Sequence, residues 1–375
     1  MTRKVPAPAI RVFTKALDWA GEVRTYESLQ FTKELYKAGK FELHIPRQAK
    51  SFESLVENNL IMLGGNARKV GVIKCIEFDE SRNGDLAKIT GPTLNAYAAK
   101  RRTIPPAAPL AFGWDRVANS NGETLMKTYI DRHFVNPTNS KRKISLIEVA
   151  PDLTRGLFST PWQTRARSVE EVLMEIGEFT GIGWEFYIDL ANRKIIFDAI
   201  PIVDQTTLQE DRSPVVFSTE FGNIANLRYK SDTSNKMTTG YAYGAGVDAD
   251  RSYQIIEPDY EEEDRVETVF DLNNIEDTQE LVQKGTQMLS EQQGTKTLKA
   301  DILPGGPFQY GDHWDIGSKI TIRSRKWNMQ MHDIVTSVTE VWQRRDGFTL
   351  AATFGEKPVG IVDIVKQLSK QRVFR

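Results

Sequence analysis

The chain has 375 residues, with 49 Lys+Arg against 50 Asp+Glu, four His and a single Cys. That length suggests two to four domains of roughly 100–200 residues, and 40% apolar with 26% charged residues is an ordinary globular balance. No apolar run approaches the ~18 residues of a membrane helix, a lone Cys75 excludes an internal disulfide framework or thiolate zinc cluster, and Met1–Pro8 carries prolines where a secretory signal needs an apolar stretch.

Phe41, Leu43 and Ile45 alternate with Glu42 and His44, the period of a strand with one buried face. Val70–Phe78 is a second apolar run, which puts Cys75 in a core strand as an inert residue. Asn83-Gly84 before Leu86–Thr90 predicts a hairpin, because both residues tolerate the positive φ of a tight turn. Pro92 then opens a helical pattern at Leu94, Tyr97 and Ala98. Pro105-Pro106 marks a boundary.

The middle of the chain is mixed. Leu125, Met126, Tyr129, Ile130, His133 and Phe134 form an apolar helical stripe. Ser168 and Glu171 predict a capping box ahead of a helix lined by Val169, Val172, Leu173, Ile176 and Phe179, stopped at Gly181. Trp184, Phe186 and Ile188 alternate with polar neighbours, and Ile195, Phe197 and Ala199 return as the second arm of a hairpin.

Strands resume at Val215–Phe217, Leu227–Tyr229 and Thr238–Tyr243. Glu257–Glu267 holds seven carboxylates and one Arg, a solvated loop. Asp277 and Glu280 cap a helix carrying Leu281, Val282, Met288 and Leu289. Ile316, Ile320 and Ile322, then Ile334–Trp342, then Phe348–Phe354 after the turn at Arg345-Asp346-Gly347, read as an antiparallel meander in a small barrel or sandwich. Val359–Leu368 is an amphipathic helix with a basic end. The expected divisions are 1–105 strand-rich, 106–210 mixed α/β, 211–355 strand-rich with a helix-containing insertion at about 250–300, and a terminal helix at 356–375.

Charge is balanced only on average. Residues 1–169 carry 27 basic and 16 acidic side chains, a net of +11, which leaves −12 for residues 170–375. The two halves are suited to pair between copies or to face different partners.

No constellation of reactive residues emerges. Gly240, Gly244 and Gly246 are followed by Asp248 and Asp250, which would repel a phosphate, so this stretch reads as a loop. Asp312-His313-Trp314-Asp315 lacks a further metal ligand at a recognisable spacing and reads as a polar turn. His332 and Asp333 are strand neighbours and point to opposite faces. His44, on a polar strand face, and His133, on the helical stripe, read as structural. Basic clusters stand at Lys100–Arg102, Lys141–Lys143 and Arg323–Lys326, only the last with an aromatic neighbour, Trp327; each reads as a solvated face. No catalytic, cofactor or metal residue is assigned.

Several segments in the right order resemble the tail-hub, or tail-associated, proteins of long-tailed phages and prophages. They are Tyr26-Glu27-Ser28-Leu29, Gly39–Leu43, Gly91–Arg102, Gly181–Phe197, Phe217-Ser218, Gly222-Asn223-Ile224, Tyr241–Gly246, Tyr310-Gly311, Asp315-Ile316-Gly317 and Phe354-Gly355-Glu356. Ser318 departs from the acidic residue expected after that glycine. The family is similar to the baseplate central hub of contractile-tailed phages. The resemblance implies an α+β, strand-rich chain with two tail-tube-like antiparallel β-barrel domains, at 1–105 and 211–355, and α/β domains between and beside them. It implies a non-enzymatic homotrimer in the virion, made in the host bacterial cytoplasm, whose six tube-like units continue a sixfold tube. Its implied partners are the distal tail protein ring, the tail tube, the tape measure protein and a tail fibre or spike. DNA passes through the lumen without sequence-specific binding, and no membrane insertion is implied. Relatives often carry a C-terminal fibre or wall-cleaving domain; with about twenty residues after the last strand, such a domain is expected to be absent or on another polypeptide. Two readings stand as alternatives: a peptidoglycan-degrading tail enzyme, whose carboxylate pair would meet in space and not along the chain, and a receptor-binding tail-tip protein.

Overall fold

Alternating apolar residues set the first strands of the computed structural model, which describes residues 5–81, 84–105, 113–159, 161–247, 250–257, 262–273, 275–303 and 306–355. In chain order they are β1 (Ile10–Phe13), β2 (Trp19–Val23), β3 (Ser28–Glu34), β4 (Lys40–Pro46), β5 (Leu60–Leu63), β6 (Val70–Val72), β7 (Cys75–Ser81) and β8 (Gly84–Pro92). A 3-10 turn at Leu94–Lys100 buries Leu94, Tyr97 and Ala98. The middle contains β9 (Asp115–Val117), β10 (Ser120–Asn121), α1 (Gly122–Ile130), β11 (Ile147–Val149), β12 (Phe158–Ser159), β13 (Trp162–Thr164), α2 (Val169–Thr180), β14 (Gly183–Asp189) and β15 (Lys194–Ile200). The remainder gives β16 (Val203–Asp204), β17 (Val216–Ser218), β18 (Ile224–Asp232), β19 (Thr239–Tyr243), β20 (Tyr253–Ile256), β21 (Glu267–Asp271), α3 (Thr278–Glu291), β22 (Thr295–Ile302), β23 (Ser318–Ser324), β24 (Met329–Gln343) and β25 (Gly347–Phe354).

One eleven-stranded sheet spans both ends of the chain. Its main row runs β18-β22-β25-β24-β3-β4-β8-β7, and β23 with β16 and β17 branches from β24. A four-stranded sheet, β2-β1-β5-β6, packs over β3, β4 and β8. Ile10, Val12 and Ile61 meet Phe31, Phe41, Leu43 and Ile89 in that core. A second core gathers Phe217, Leu298, Ile320, Val338, Leu350 and Phe354 inside β17, β22, β23, β24 and β25. A third, around Trp184, Phe186 and Phe197, joins α1, α2 and the β14–β15 hairpin to Leu94 and Tyr97.

Where the sequence predicts barrels, the described strands form open sheets. β17 and β18 both line the second core but share no ladder. The Asn223 side chain bridges that seam instead: it accepts from the Ser218 N–H and donates to the Val216 carbonyl, each at 2.8 Å. Three local expectations also change. Val70–Phe78 is two strands, and Cys75, at the start of the second, is exposed, not a core residue. The helical stripe at Leu125–Phe134 is α-helical to Ile130 and then continues as a π turn. Ser168 caps α2 without a side-chain hydrogen bond, so the capping box does not form; Glu171 faces Arg167 at 3.6 Å instead. Gly181 ends α2 in the left-handed conformation (φ 69°), as its lack of Cβ permits. The turn at 82–83 and the terminal helix expected at 359–368 lie outside the described residues. Among those described, no helix is long and apolar enough to cross a membrane.

Candidate functional site: one shared sheet with two free edges

The main row of strands consists of two four-strand modules laid side by side. The first is β7-β8-β4-β3 and the second is β24-β25-β22-β18. Each begins with a hairpin, β7–β8 closing at Ser81↔Gly84 and β24–β25 at Gln343↔Gly347. Each hairpin then pairs, antiparallel, with two further strands. The ladders map one module onto the other position by position. Counting back from each hairpin, Cys75 corresponds to Ser337 and Glu77 to Thr339. Across the next two ladders, Gln30 corresponds to Arg228, Phe31 to Tyr229 and Thr32 to Lys230.

The modules meet at β3–β24, an antiparallel ladder from Ser28↔Gln343 to Glu34↔Ser337. On the face away from the cores, Thr32 and Thr339 hydroxyls bond at 3.0 Å. Beneath the joint lies a charged cluster. Lys69 donates to Glu340 at 2.7 Å, and Lys33 lies 3.5 Å from Glu185, which also pairs with Arg68. Burial lowers the Lys33 pKa and raises that of Glu340, the latter against the opposing pull of Lys69. The cluster ties the middle hairpin and the β5–β6 turn to both modules.

At the outer ends, β7 and β18 each have one ladder partner and one open side among the described residues. Phe78 on β7 is 58% exposed and Tyr229 on β18 is 41% exposed. Open backbone donors and acceptors with exposed aromatics are a template for adding a strand.

The sequence candidates for chemistry do not converge. His133 is buried in a 2.5 Å contact with the Asp115 carboxylate, which also holds Arg132, so this is a structural lock without an opening. His44 pairs with Glu42 at 2.7 Å on the strand surface. His313 Nδ1 accepts from the Gln309 N–H inside the polar turn, where Trp314 fills the second core. His332 bonds Thr321 at 3.0 Å, while Asp333 accepts from the Ile334 N–H. Gly240 lies within β19, and Gly244 and Gly246 lie in the loop after it. Among the described residues no three His, Cys, Asp or Glu side chains are grouped to hold a metal. Two basic clusters do meet: the Arg101 guanidinium donates to the Arg142 carbonyl at 2.8 Å. That contact spans 41 residues and has no signature in the sequence.

Solved structures share this architecture. The tail protein from Neisseria meningitidis MC58 matches with a TM-score of 0.58 at 14% identity, covering 96% of this chain and 99% of that one. The 43 kDa tail protein of prophage MuSo2 from Shewanella oneidensis matches at 0.59 and 10% identity, covering 92% and 98%. Prophage tail protein gp18 from Listeria monocytogenes EGD-e matches at 0.53 and 13% identity, covering 96% and 98%. The fold is thus that of phage and prophage tail proteins. The chain belongs to the Siphovirus ReqiPepy6 Gp37-like protein family, whose sequence profile matches residues 9–356. No curated protein matches it by sequence.

Proposed function

We propose that this chain is a non-enzymatic tail-tip hub of the virion, which closes and continues the tail tube as a homotrimer and gates DNA release. The observation that carries this reading is the duplicated four-strand module. Two modules per chain and three chains give six units, the number a sixfold tube presents. Strand direction alternates through all eight strands of the row, so β18 of one copy meets β7 of the next antiparallel, as β3 meets β24 within the chain. Three rows would then close a ring of twenty-four strands, and each module with its packed strands serves as one tube-like barrel unit. The ring abolishes both open edges. The tail tube and distal tail ring would stack on it, with the tape measure protein in the lumen and a fibre or spike below.

If the edges meet in the register of the intrachain joint, Tyr229 would lie opposite Phe78, Lys230 opposite Glu77 and Asp232 opposite Cys75. Opposite charges and an aromatic pair directly across a ladder each favour it. Directly opposed antiparallel residues lie ~4.5–5.5 Å apart at Cα, a span a disulfide bridges. Asp232→Cys is therefore the test, because Cys75 is the chain's single cysteine and is exposed. Mild oxidation should yield covalent dimers and trimers and nothing larger, and Ser231→Cys, on the opposite strand face, should yield none. A chain that stays monomeric and uncrosslinked, or that polymerises without limit, overturns the reading.

A further inference from the structure

The insertion between β18 and β22, residues 233–294, holds fourteen acidic and four basic side chains, a net of −10. It therefore carries most of the negative excess of the second half. Its sheet, β20-β19-β21, is covered on one side by α3 through Ala242, Ile256, Phe270 and Leu281. The other side is open and exposes Tyr253, Ile255 and Val269. The acidic turn Glu262–Asp264 stands at the root of the insertion, because Thr238 Oγ1 donates to the Asp264 carbonyl at 2.9 Å and accepts from the Val266 N–H at 2.7 Å. Thr238 is six residues from the end of β18. None of Glu262, Glu263 and Asp264 has an ion-pair partner among the described residues; nearby Arg265 is taken by Glu257 and Glu267.

Elsewhere on the chain, cations crowd together, and the buried Asp115 carboxylate, which pulls on Arg142, is already taken by Arg132 and His133. Lys100 lies over the Tyr97 ring, and Arg101 and Arg142 are joined through a backbone carbonyl. Arg142 Nη2 in turn donates to the Arg102 carbonyl, and Lys141 and Lys143 flank it. Lys74 stands immediately before β7. Desolvation first, then the like charges of Lys74 and Arg101, push the Lys100 pKa down to about 8. No member of this group is ion-paired among the described residues, so the patch is a surface short of negative charge.

We infer that the acidic root of the insertion in one copy docks on the Lys74–Lys100–Lys141–Lys143 patch of the next copy. This rests on the edge pairing proposed above, which puts the two surfaces together: Asp232, from which the insertion departs, falls opposite Cys75, and Lys74 is its neighbour. Each copy would then clasp the next outside the ring, through charge and not through the ladder.

The test uses full-length protein mixed from isotopically light and heavy chains, treated with a carbodiimide that joins carboxylates to amines without a spacer. Mass spectrometry should find light–heavy links from Glu262, Glu263 or Asp264 to Lys74, Lys100, Lys141 or Lys143. Lys100→Glu/Lys141→Glu/Lys143→Glu should reduce the link to the retained Lys74 at least tenfold and remove most of the salt sensitivity of assembly. Placed in the Asp232→Cys background, the same three changes should leave the disulfide to Cys75 of the adjoining copy intact. If that disulfide forms but the acidic turn links only within its own chain, or not at all, the clasp is wrong and the ring stands. If the disulfide also fails, the ring reading has failed first. If the reversed patch loses binding to a soluble polyanion such as duplex DNA but keeps the link to Lys74 undiminished, the patch serves a different partner and the clasp is overturned.

Discussion

Thr32 and Thr339 are 307 residues apart and share a 3.0 Å hydroxyl–hydroxyl hydrogen bond across the β3–β24 joint. The pair stands where two halves of the chain become one sheet. Its equivalents at the free edges, by the ladder correspondence, are Lys230 and Glu77, so a position that is neutral inside the chain carries a cation at one rim and an anion at the other.

Thr339→Val should remove that bond while preserving shape, leaving the buried Thr32 hydroxyl without its partner. We expect a loss of roughly 1–2 kcal/mol in chemical unfolding. Thr32→Val/Thr339→Val should recover much of it, since an apolar pair leaves no orphan.

Lys69→Met should cost more, on the order of 3 kcal/mol, because it strands Glu340 in the charged cluster beneath the joint. The loss should depend on pH. Burial holds the Glu340 pKa above its usual value. A raised carboxyl contributes favourably below the unfolded-state value and loses that contribution as pH rises through the folded-state value. The defect of Lys69→Met should therefore be smaller near pH 4 than near pH 7. Urea melts at the two pH values decide it, and an equal defect at both would place the cost in packing.

Glu123 behaves in the opposite sense. Burial alone would raise its pKa, but hydrogen bonds from Arg155 and Lys127 hold it down at about 2. A depressed carboxyl stabilises above its unfolded value, about 4.5, and that stability is lost as pH falls toward 2. We expect acid titration to remove on the order of 3 kcal/mol over this window. Glu123→Gln should flatten that part of the stability–pH curve.

Local period and turn chemistry made much of the fold legible. The alternation at Trp184, Phe186 and Ile188 pairs with Ile195, Phe197 and Ala199 as read. Asp277 caps α3 by accepting from the Glu280 N–H at 2.8 Å. The Ser168–Glu171 box was equally plain in the sequence, yet Arg167 competes for Glu171 and the reciprocal bonds do not form. The apolar run through Cys75 predicts a core strand, whereas the chain breaks at Ile73-Lys74 and restarts at an edge. The candidate interface was least legible. Lys33 and Glu340 stand in phase with the core residues Phe31 and Val338, and nothing in either strand's own sequence records the long-range pairing of β3 with β24 that brings them together with Glu185 and Lys69. Edges are defined by what fails to pair, which no local pattern records.

Charge order at those edges supplies the sharpest check of the register. Glu77→Lys sets a cation against Lys230 of the adjoining copy, and like charges directly opposed on a ladder destabilise it. Lys230→Glu does the same with the sign reversed. Each single variant should weaken assembly about tenfold by sedimentation, with only a small loss in the dissociated chain's melting temperature, because both residues are exposed but Glu77→Lys also opposes Lys88 in its own hairpin and Lys230→Glu loses the pair with Asp232. The double variant restores opposite charges and should regain most of the lost affinity. A pair offset by one residue would put the two side chains on opposite faces, so a failure of this rescue, with the single effects intact, would mean that the edges meet in another register.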